Sequence, residues 1–349
     1  MNLKELSALL NLSQTTVSRA LNGYPEVSKS TRQRVLQMAK KHHYQPNARA
    51  TSLATGRAMT IGHVIPMHSS NDVGNPIFGE FITGASRIYS ANGYELLLTI
   101  AEQLNEEDTY RNMAARGTVD GVIVHSPRRD DSRVQLLQDI GLPFVIHGRV
   151  PETSLDYSWI DTNNRRAFRQ ATRLLLDLGH RRIALINGPE SLTYAWLRRQ
   201  GYEEALLDAG ITPHPDILCS DELTETHGYR SAGRMLADTQ PPSAFLVSSY
   251  VVALGVRRAI AHAGLRMGKD VSVIIHDDEL SFFQNNDPEP QFTATRSSVR
   301  QAGELAAQML LDLIDDPDRA SRTQLLEAQL TIGVSTGPAG SSAQATTKR

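Results

Sequence analysis

Between Thr60 and Ile275, short apolar runs alternate with amphipathic helical stretches, and this alternation restricts the fold more than any other feature of the chain. Ile61–Ile65, Tyr94–Leu98, Gly121–Val124 and Pro143–Ile146 are runs of strand length, with a helical stretch from Ile77 to Asn92 between the first two. After Asp161 the pattern resumes with a helix over Arg165–Leu178, a strand over Arg182–Ile186, a helix over Leu197–Ala209, and strands over Ala244–Val247 and Val271–Ile275. Such repetition makes parallel sheets covered by helices on both faces. At 349 residues the chain is too long for one compact domain. The repeats divide into two doubly wound α/β sheets, with a crevice at the C-terminal ends of their strands.

The first 58 residues read differently. Leu3, Leu6, Leu9 and Leu10 recur at helical spacing, Asn11 suits a left-handed stop, and Ser13 caps a second helix running to Leu21. On that helix Val17, Ala20 and Leu21 face inward, while Gln14, Thr15, Ser18 and Arg19 face outward. A third helix over Thr31–Lys41 turns Val35, Leu36 and Ala39 inward, making an all-α unit over 1–45. The pattern fits a helix-turn-helix, whose second helix enters the major groove, and equally an ordinary amphipathic hairpin. Charge favours the former. Residues 1–58 hold nine Lys and Arg against two Glu, a net +7 in a chain of net −2, which leaves −9 for the remainder. A basic module on an acidic body suits phosphate contact at one end only. The small-residue segment Asn47–Gly56 is too short to be a stable lone helix in water.

Composition excludes several classes. Cys219 stands alone, so no intramolecular disulfide forms and a reducing compartment is expected. No apolar stretch is long enough to span a bilayer and no signal peptide precedes the first helix, which points to the cytoplasm. The chain shows no phosphate-cradling glycine loop, nucleophile elbow or zinc-type His/Glu spacing, so a binding protein without metal or cofactor is expected rather than an enzyme. A sugar-binding or hydrolytic enzyme on the same core is the alternative. Residues 337–349 are small and polar and are expected to be disordered.

The succession Leu12–Gly23, Val27–Val35, Tyr44–Ala48, Ser52–Gly56, Asn75–Phe78, Val119–Ile123, Leu178–Ala184 and Asp270–Val273 resembles the LacI/GalR family of bacterial transcription regulators over nearly the whole chain. The resemblance implies a repressor that binds a pseudo-palindromic operator as a homodimer and responds to a small-molecule effector, a mono- or disaccharide. It implies base contacts by Gln14, Thr15 and Arg19, and phosphate contacts by Ser13, Thr16, Ser18, Asn22, Ser28 and Thr31. It further implies a hinge over 46–58 that enters the minor groove through Asn47, Ala50, Leu53 and Ala54, with Leu53 as the wedge. Effector contact falls to Ile77, Phe78, His147, Tyr194, Trp196, Arg198, Ser249, Tyr250 and Asp277. The family crossovers place one core subdomain at 59–160 plus 292–320 and the other at 161–291 plus 321–336. Two departures bear on the effector. Ser249-Tyr250 stands where many relatives have Asn-Asp, and His147-Gly148-Arg149 replaces an acidic residue after the fourth strand.

Overall fold

A computed structural model describes residues 1–21, 23–44, 56–67, 75–102, 105–283, 285 and 289–340, in two units that meet at Met59/Thr60. The expected hinge residues Asn47, Ala50, Leu53 and Ala54, together with Asn22 and residues 341–349, lie outside the described residues.

In the N-terminal unit, Asn2 and Glu5 close a reciprocal capping box on α1 (Leu3–Leu10), and Asn11 ends that helix at φ 51°. The Ser13 hydroxyl accepts from Thr16 N–H at 3.0 Å and starts α2 (Gln14–Leu21). Ser28 does the same for α3 (Lys29–Lys41) through Thr31 N–H. Leu6, Leu10, Val17, Ala20, Val27, Val35 and Ala39 form the core. Leu36, expected inside, is about half exposed, as is Leu9 of the recurring leucines. Leu6 and Leu10 already supply α1's inward positions, and on α3 Val35 and Ala39, one turn apart, leave Leu36 on the flank.

The larger unit carries two six-stranded sheets. The first contains β1 (Thr60–Met67), β2 (Glu95–Glu102), β3 (Gly121–Val124), β4 (Phe144–His147), β5 (Ser158–Thr162) and β11 (Thr323–Leu326), in the order β11-β5-β4-β3-β1-β2, all parallel. The second contains β6 (Ile183–Asn187), β7 (Leu218–Ser220), β8 (Ala244–Val247), β9 (Ser272–Asp277), β10 (Thr293–Arg296) and β12 (Gln329–Thr331), in the order β12-β10-β9-β8-β6-β7, with only β12 antiparallel. Helices α4 (Pro76–Ala91), α5 (Glu106–Arg116), α6 (Arg133–Asp139) and α11 (Val299–Asp315) belong to the first lobe, and α7 (Asn164–Asp177), α8 (Thr193–Asp208), α9 (Glu225–Leu236) and α10 (Tyr250–His262) to the second.

Strand alternation sends Ile183 and Leu185 of β6 to the layer packed by α7 and α8, and Ala184 and Ile186 to the layer packed by α9 and α10. Both faces are thus buried, which is why the runs read as continuously apolar. On the first lobe α4 and α11 touch backbone to backbone: a Cβ on Gly84 would lie 2.0 Å from the Arg300 carbonyl oxygen, and one on Gly303 2.1 Å from that of Phe81.

The chain crosses between lobes at Thr162–Asn164, Arg296–Val299 and Leu326–Gln329. The latter two differ from the expected boundaries near Gln291 and Ser321. β10 extends the second sheet beside β9 before the chain returns, and β11 adds an edge to the first sheet beside β5. The start of the expected disordered tail is also pinned to the second lobe. Gly337 N–H donates to Ser272 Oγ at 3.0 Å, its carbonyl lies 3.1 Å from His180 Nε2, and Ala339 N–H reaches the Leu178 carbonyl at 2.8 Å.

Candidate functional site

Two surfaces carry chemistry. On the N-terminal unit Gln14, Thr15 and Arg19 project from α2 into solvent, while Thr16 and Ser18 are half-buried beside them. The Ser13/Thr16 and Ser28/Thr31 hydroxyls cap α2 and α3, leaving free amide groups and positive dipole ends at both N-termini, an arrangement that receives phosphate. Arg32 and Arg34 are spent internally: Arg32 donates to the Gly23 and Tyr24 carbonyls at 2.8 and 2.7 Å, and Arg34 to that of Leu10.

In the larger unit a cavity of about 390 Å³ lies between the lobes. Residues at the C-terminal ends of strands from both sheets line it: Ser126 after β3, His147 of β4, Asp161 of β5, Pro189 after β6, Asp278 after β9 and Ser297 after β10. That is where doubly wound sheets bind ligands. Asn75 caps α4 by accepting from Ile77 N–H at 3.1 Å, so Ile77 and Phe78 enter the wall. Arg198 of α8 is buried. It donates from Nε to Asn164 Oδ1 at 2.7 Å and from Nη1 to the Ser248 carbonyl at 2.6 Å, and its carbon Cζ lies 4.9 Å from the Tyr194 ring centre. Desolvation lowers its basicity, and Asp278, Tyr194 and Asp161 act the other way.

Asp278 is the buried acceptor facing this donor. Its Oδ1 lies 3.3 Å from His276 Nε2, and among the described residues its Oδ2 has no hydrogen-bond partner. Burial pushes the carboxyl up, but His276, Arg198 and His147 outweigh it and hold Asp278 below the usual carboxylate range. His276 itself is kept neutral chiefly by burial and is held by Thr295 Oγ1 at 3.0 Å. On the first lobe, burial raises the Asp161 carboxyl to about 6 despite Arg149 at 3.0 Å.

Five of the nine sequence-nominated effector residues line the cavity: Ile77, Phe78, His147, Tyr194 and Arg198. The other four do not. Asp277 turns away, accepting from Glu279 N–H at 2.9 Å and facing Arg296 at 3.6 Å. Ser249 is consumed capping α10 through Val252 N–H, and Tyr250 stacks on Phe283 at 5.2 Å inside the second lobe. Trp196 lies under the Arg129 guanidinium, 5.4 Å away, beside a bridge in which Thr193 N–H donates to the Pro127 carbonyl at 2.9 Å. Trp196 therefore joins the lobes. A second contact between lobes is made by Glu80 of α4, whose buried carboxylate receives Ser281 N–H at 2.8 Å, the Ser281 hydroxyl and Arg300 of α11 at 2.6 Å. Of the adjacent carboxylates Asp277 and Asp278 sequence reasoning chose the wrong one for the cavity, and it passed over Asn164 and Ser126, although each lies just beyond a strand end, and also His63 and His125, polar residues interrupting or ending apolar runs.

A helix-turn-helix unit carried on a two-lobed receptor core defines the class of DNA-binding transcriptional regulators. Residues 2–47 match the model of bacterial regulatory proteins of the lacI family, and residues 172–336 that of the periplasmic binding protein-like domain. The HTH-type transcriptional regulator AglR of Rhizobium meliloti (strain 1021) is 44% identical over 97% of this chain and 95% of its own length. Among solved structures, the transcriptional regulator CelR–cellobiose complex (28% identical, TM-score 0.71) covers 96% of this chain and 99% of that one. The lac repressor dimer bound to operator and the anti-inducer ONPF (25%, TM-score 0.83) covers 97% and 99%. The chain belongs to the LacI family and is a DNA-binding transcriptional regulator of the helix-turn-helix type.

Proposed function

We propose that the protein is a repressor whose operator affinity is set by a saccharide bound between its lobes. The observation that carries this is the cavity between the lobes with a buried guanidinium, a buried carboxylate oxygen that lacks a partner among the described residues, and the apolar and aromatic faces of Ile77, Phe78 and Tyr194. Hydroxyl pairs satisfy the polar groups, and sugar ring faces cover the apolar ones. The sugar named in the CelR complex supports the same class. Gln14, Thr15 and Arg19 would read base edges, while Ser13, Thr16, Ser18, Asn22, Ser28 and Thr31 hold phosphates. The segment with Asn47, Ala50, Leu53 and Ala54 would enter the minor groove, with Leu53 as the wedge.

The working unit is a homodimer on a pseudo-palindromic operator, a reading supported by the lac repressor, which binds its operator as a dimer. Leu98 and Ile100 on edge strand β2 and Phe282 after β9 are exposed apolar side chains suited to a second copy. Among the described residues no helix is long and apolar enough to cross a membrane. A regulator that must meet DNA acts in the cytoplasm, and it needs no catalytic step. Thermal-shift screening of the full-length protein against neutral mono- and disaccharides, followed by operator binding with each hit, tests the reading. A stabilising sugar that also changes operator affinity is expected; if no saccharide raises the melting temperature, the saccharide assignment fails.

A further inference from the structure

The first lobe presents His147 to the cavity, and two further histidines, His125 and His63, are buried behind it. His147 lines the cavity, its ring stacked on Phe81 at 4.3 Å and set edge-on to His125 at 5.8 Å, and among the described residues its imidazole has no hydrogen-bond partner. Behind it runs a chain of polar contacts. Tyr89 Oη lies 2.9 Å from His63 Nε2, and His63 Nδ1 lies 3.2 Å from His125 Nε2. The chain ends at His125 Nδ1, which is fully buried and without a partner among the described residues. His125 itself packs at 5.3 Å against Phe78, another cavity residue.

Neutral imidazoles in series share one polarity. If Tyr89 donates to His63, then His63 donates to His125, and His125 Nδ1 carries a proton; reversal of the series leaves that nitrogen bare. The buried series can thus hold either polarity, while His147, the ring that lines the cavity, has one donor and one acceptor nitrogen of its own when neutral. The ring contacts do not place three nitrogens around one point, and among the described residues no cluster of His, Cys, Asp and Glu fits a metal ion. Charge along the cavity is balanced. Arg128 and Arg198 line it with Glu222 and Asp278, and Asp161 is matched by Arg149. The cavity as a whole therefore offers a ligand little net charge of either sign.

We infer that the His147 wall, backed by His125 and His63, selects an uncharged polyol, taking one of its hydroxyls by whichever polarity that hydroxyl presents. This deepens the saccharide reading and rests on it. Burial acts in the same direction, since it holds His63 at about 3 and His147 at about 4 and so withholds a positive charge from an anionic ligand.

The test titrates full-length protein with cellobiose, maltose, melibiose and sucrose, and with glucuronate and galacturonate, by calorimetry at neutral pH. A neutral sugar is expected to bind and the uronates not to. His147→Phe should weaken that sugar about tenfold, and His147→Gln, which keeps a donor and an acceptor, should recover most of the loss. Melting without sugar checks that each variant is folded. Imidazole ¹⁵N spectra of the unmodified protein provide a readout independent of folding: sugar binding should shift His147 and His125. Uronates binding as tightly as the neutral sugar, a His147→Phe titration matching the parent, or unchanged His147 and His125 resonances in the sugar complex would overturn the inference while leaving the saccharide reading in place. Binding of no sugar at all would remove both.

Discussion

Neutralising each carboxylate of the adjacent pair Asp277 and Asp278 should give opposite phenotypes, because one residue faces the cavity and the other faces away. In Asp278→Asn the side chain keeps its shape and one acceptor, but the Oδ2 at the cavity, the atom proposed to receive a sugar hydroxyl, becomes a neutral group. A hydrogen bond to a charged partner contributes about 1.5–3 kcal/mol, so the effector dissociation constant should rise roughly 10- to 150-fold. The same change leaves Arg198 with less compensating charge, costing about 1–3 kcal/mol of stability. Asp277→Asn still accepts from Glu279 N–H, and the contact it loses is a 3.6 Å approach from Arg296, which Glu279 also engages at 3.2 Å. Its stability cost should stay near 1 kcal/mol, with effector affinity changed by less than about twofold. Calorimetric titration with the best sugar from the thermal-shift screen, beside urea unfolding of the same samples, measures both quantities. If Asp277→Asn loses the sugar and Asp278→Asn keeps it, the cavity geometry described here is wrong.

Other expectations are equally specific. Ser281→Ala removes a hydroxyl from the buried Glu80 carboxylate across the lobes, so this contact between the lobes should weaken by about 1.5–3 kcal/mol; small-angle scattering should show a larger radius of gyration, and sugar affinity should fall at least about tenfold. Gly84→Ala sets a methyl group against the Arg300 carbonyl and should cost about 1–3 kcal/mol in urea unfolding through separation of α4 and α11. Because burial depresses His63 to about 3 and His147 to about 4, their contribution is complete above an unfolded value of 6.5 and is lost as pH falls toward 4, by about 1.4 kcal/mol per pH unit for each group. Asp161, raised to about 6, has the opposite sign: its contribution is present below 3.8 and lost as pH rises through 6, which offsets part of one histidine. Urea midpoints at pH 7, 6 and 5 should decline, less steeply in His147→Gln; a flat profile would contradict the neutral-histidine wall. Arg19→Ala should relax base preference in a panel of operator variants, whereas loss of affinity that is uniform across the panel would reassign Arg19 to phosphate.

Much of this architecture is written in local pattern. Gly121–Val124 and Ala244–Val247 are apolar runs whose limits coincide with β3 and β8, and of the outward set Gln14, Thr15, Ser18 and Arg19 read from helical periodicity, all but the half-buried Ser18 are exposed. What pattern could not resolve has physical causes. β9 is buried along its whole length, so no alternation of polar and apolar residues tells which of Asp277 and Asp278 points to the cavity. β11 and β12 are short, half-exposed edge strands without an apolar run, and only their pairing reveals that the chain crosses late. Trp196 sits between the cavity residues Tyr194 and Arg198 in sequence and Tyr250 just after a strand end, yet the choice between ligand and protein packing depends on Arg129 and Phe283, which are distant in the chain.

The central claim is that occupancy of the cleft sets operator affinity. Its direct test is the fluorescence anisotropy of an operator selected from random duplexes, titrated with full-length protein at constant salt, with and without saturating sugar. A roughly 5- to 150-fold change in operator dissociation constant is expected, which in Asp278→Asn requires correspondingly more sugar. An operator affinity identical in the sugar-free and sugar-saturated protein would contradict it.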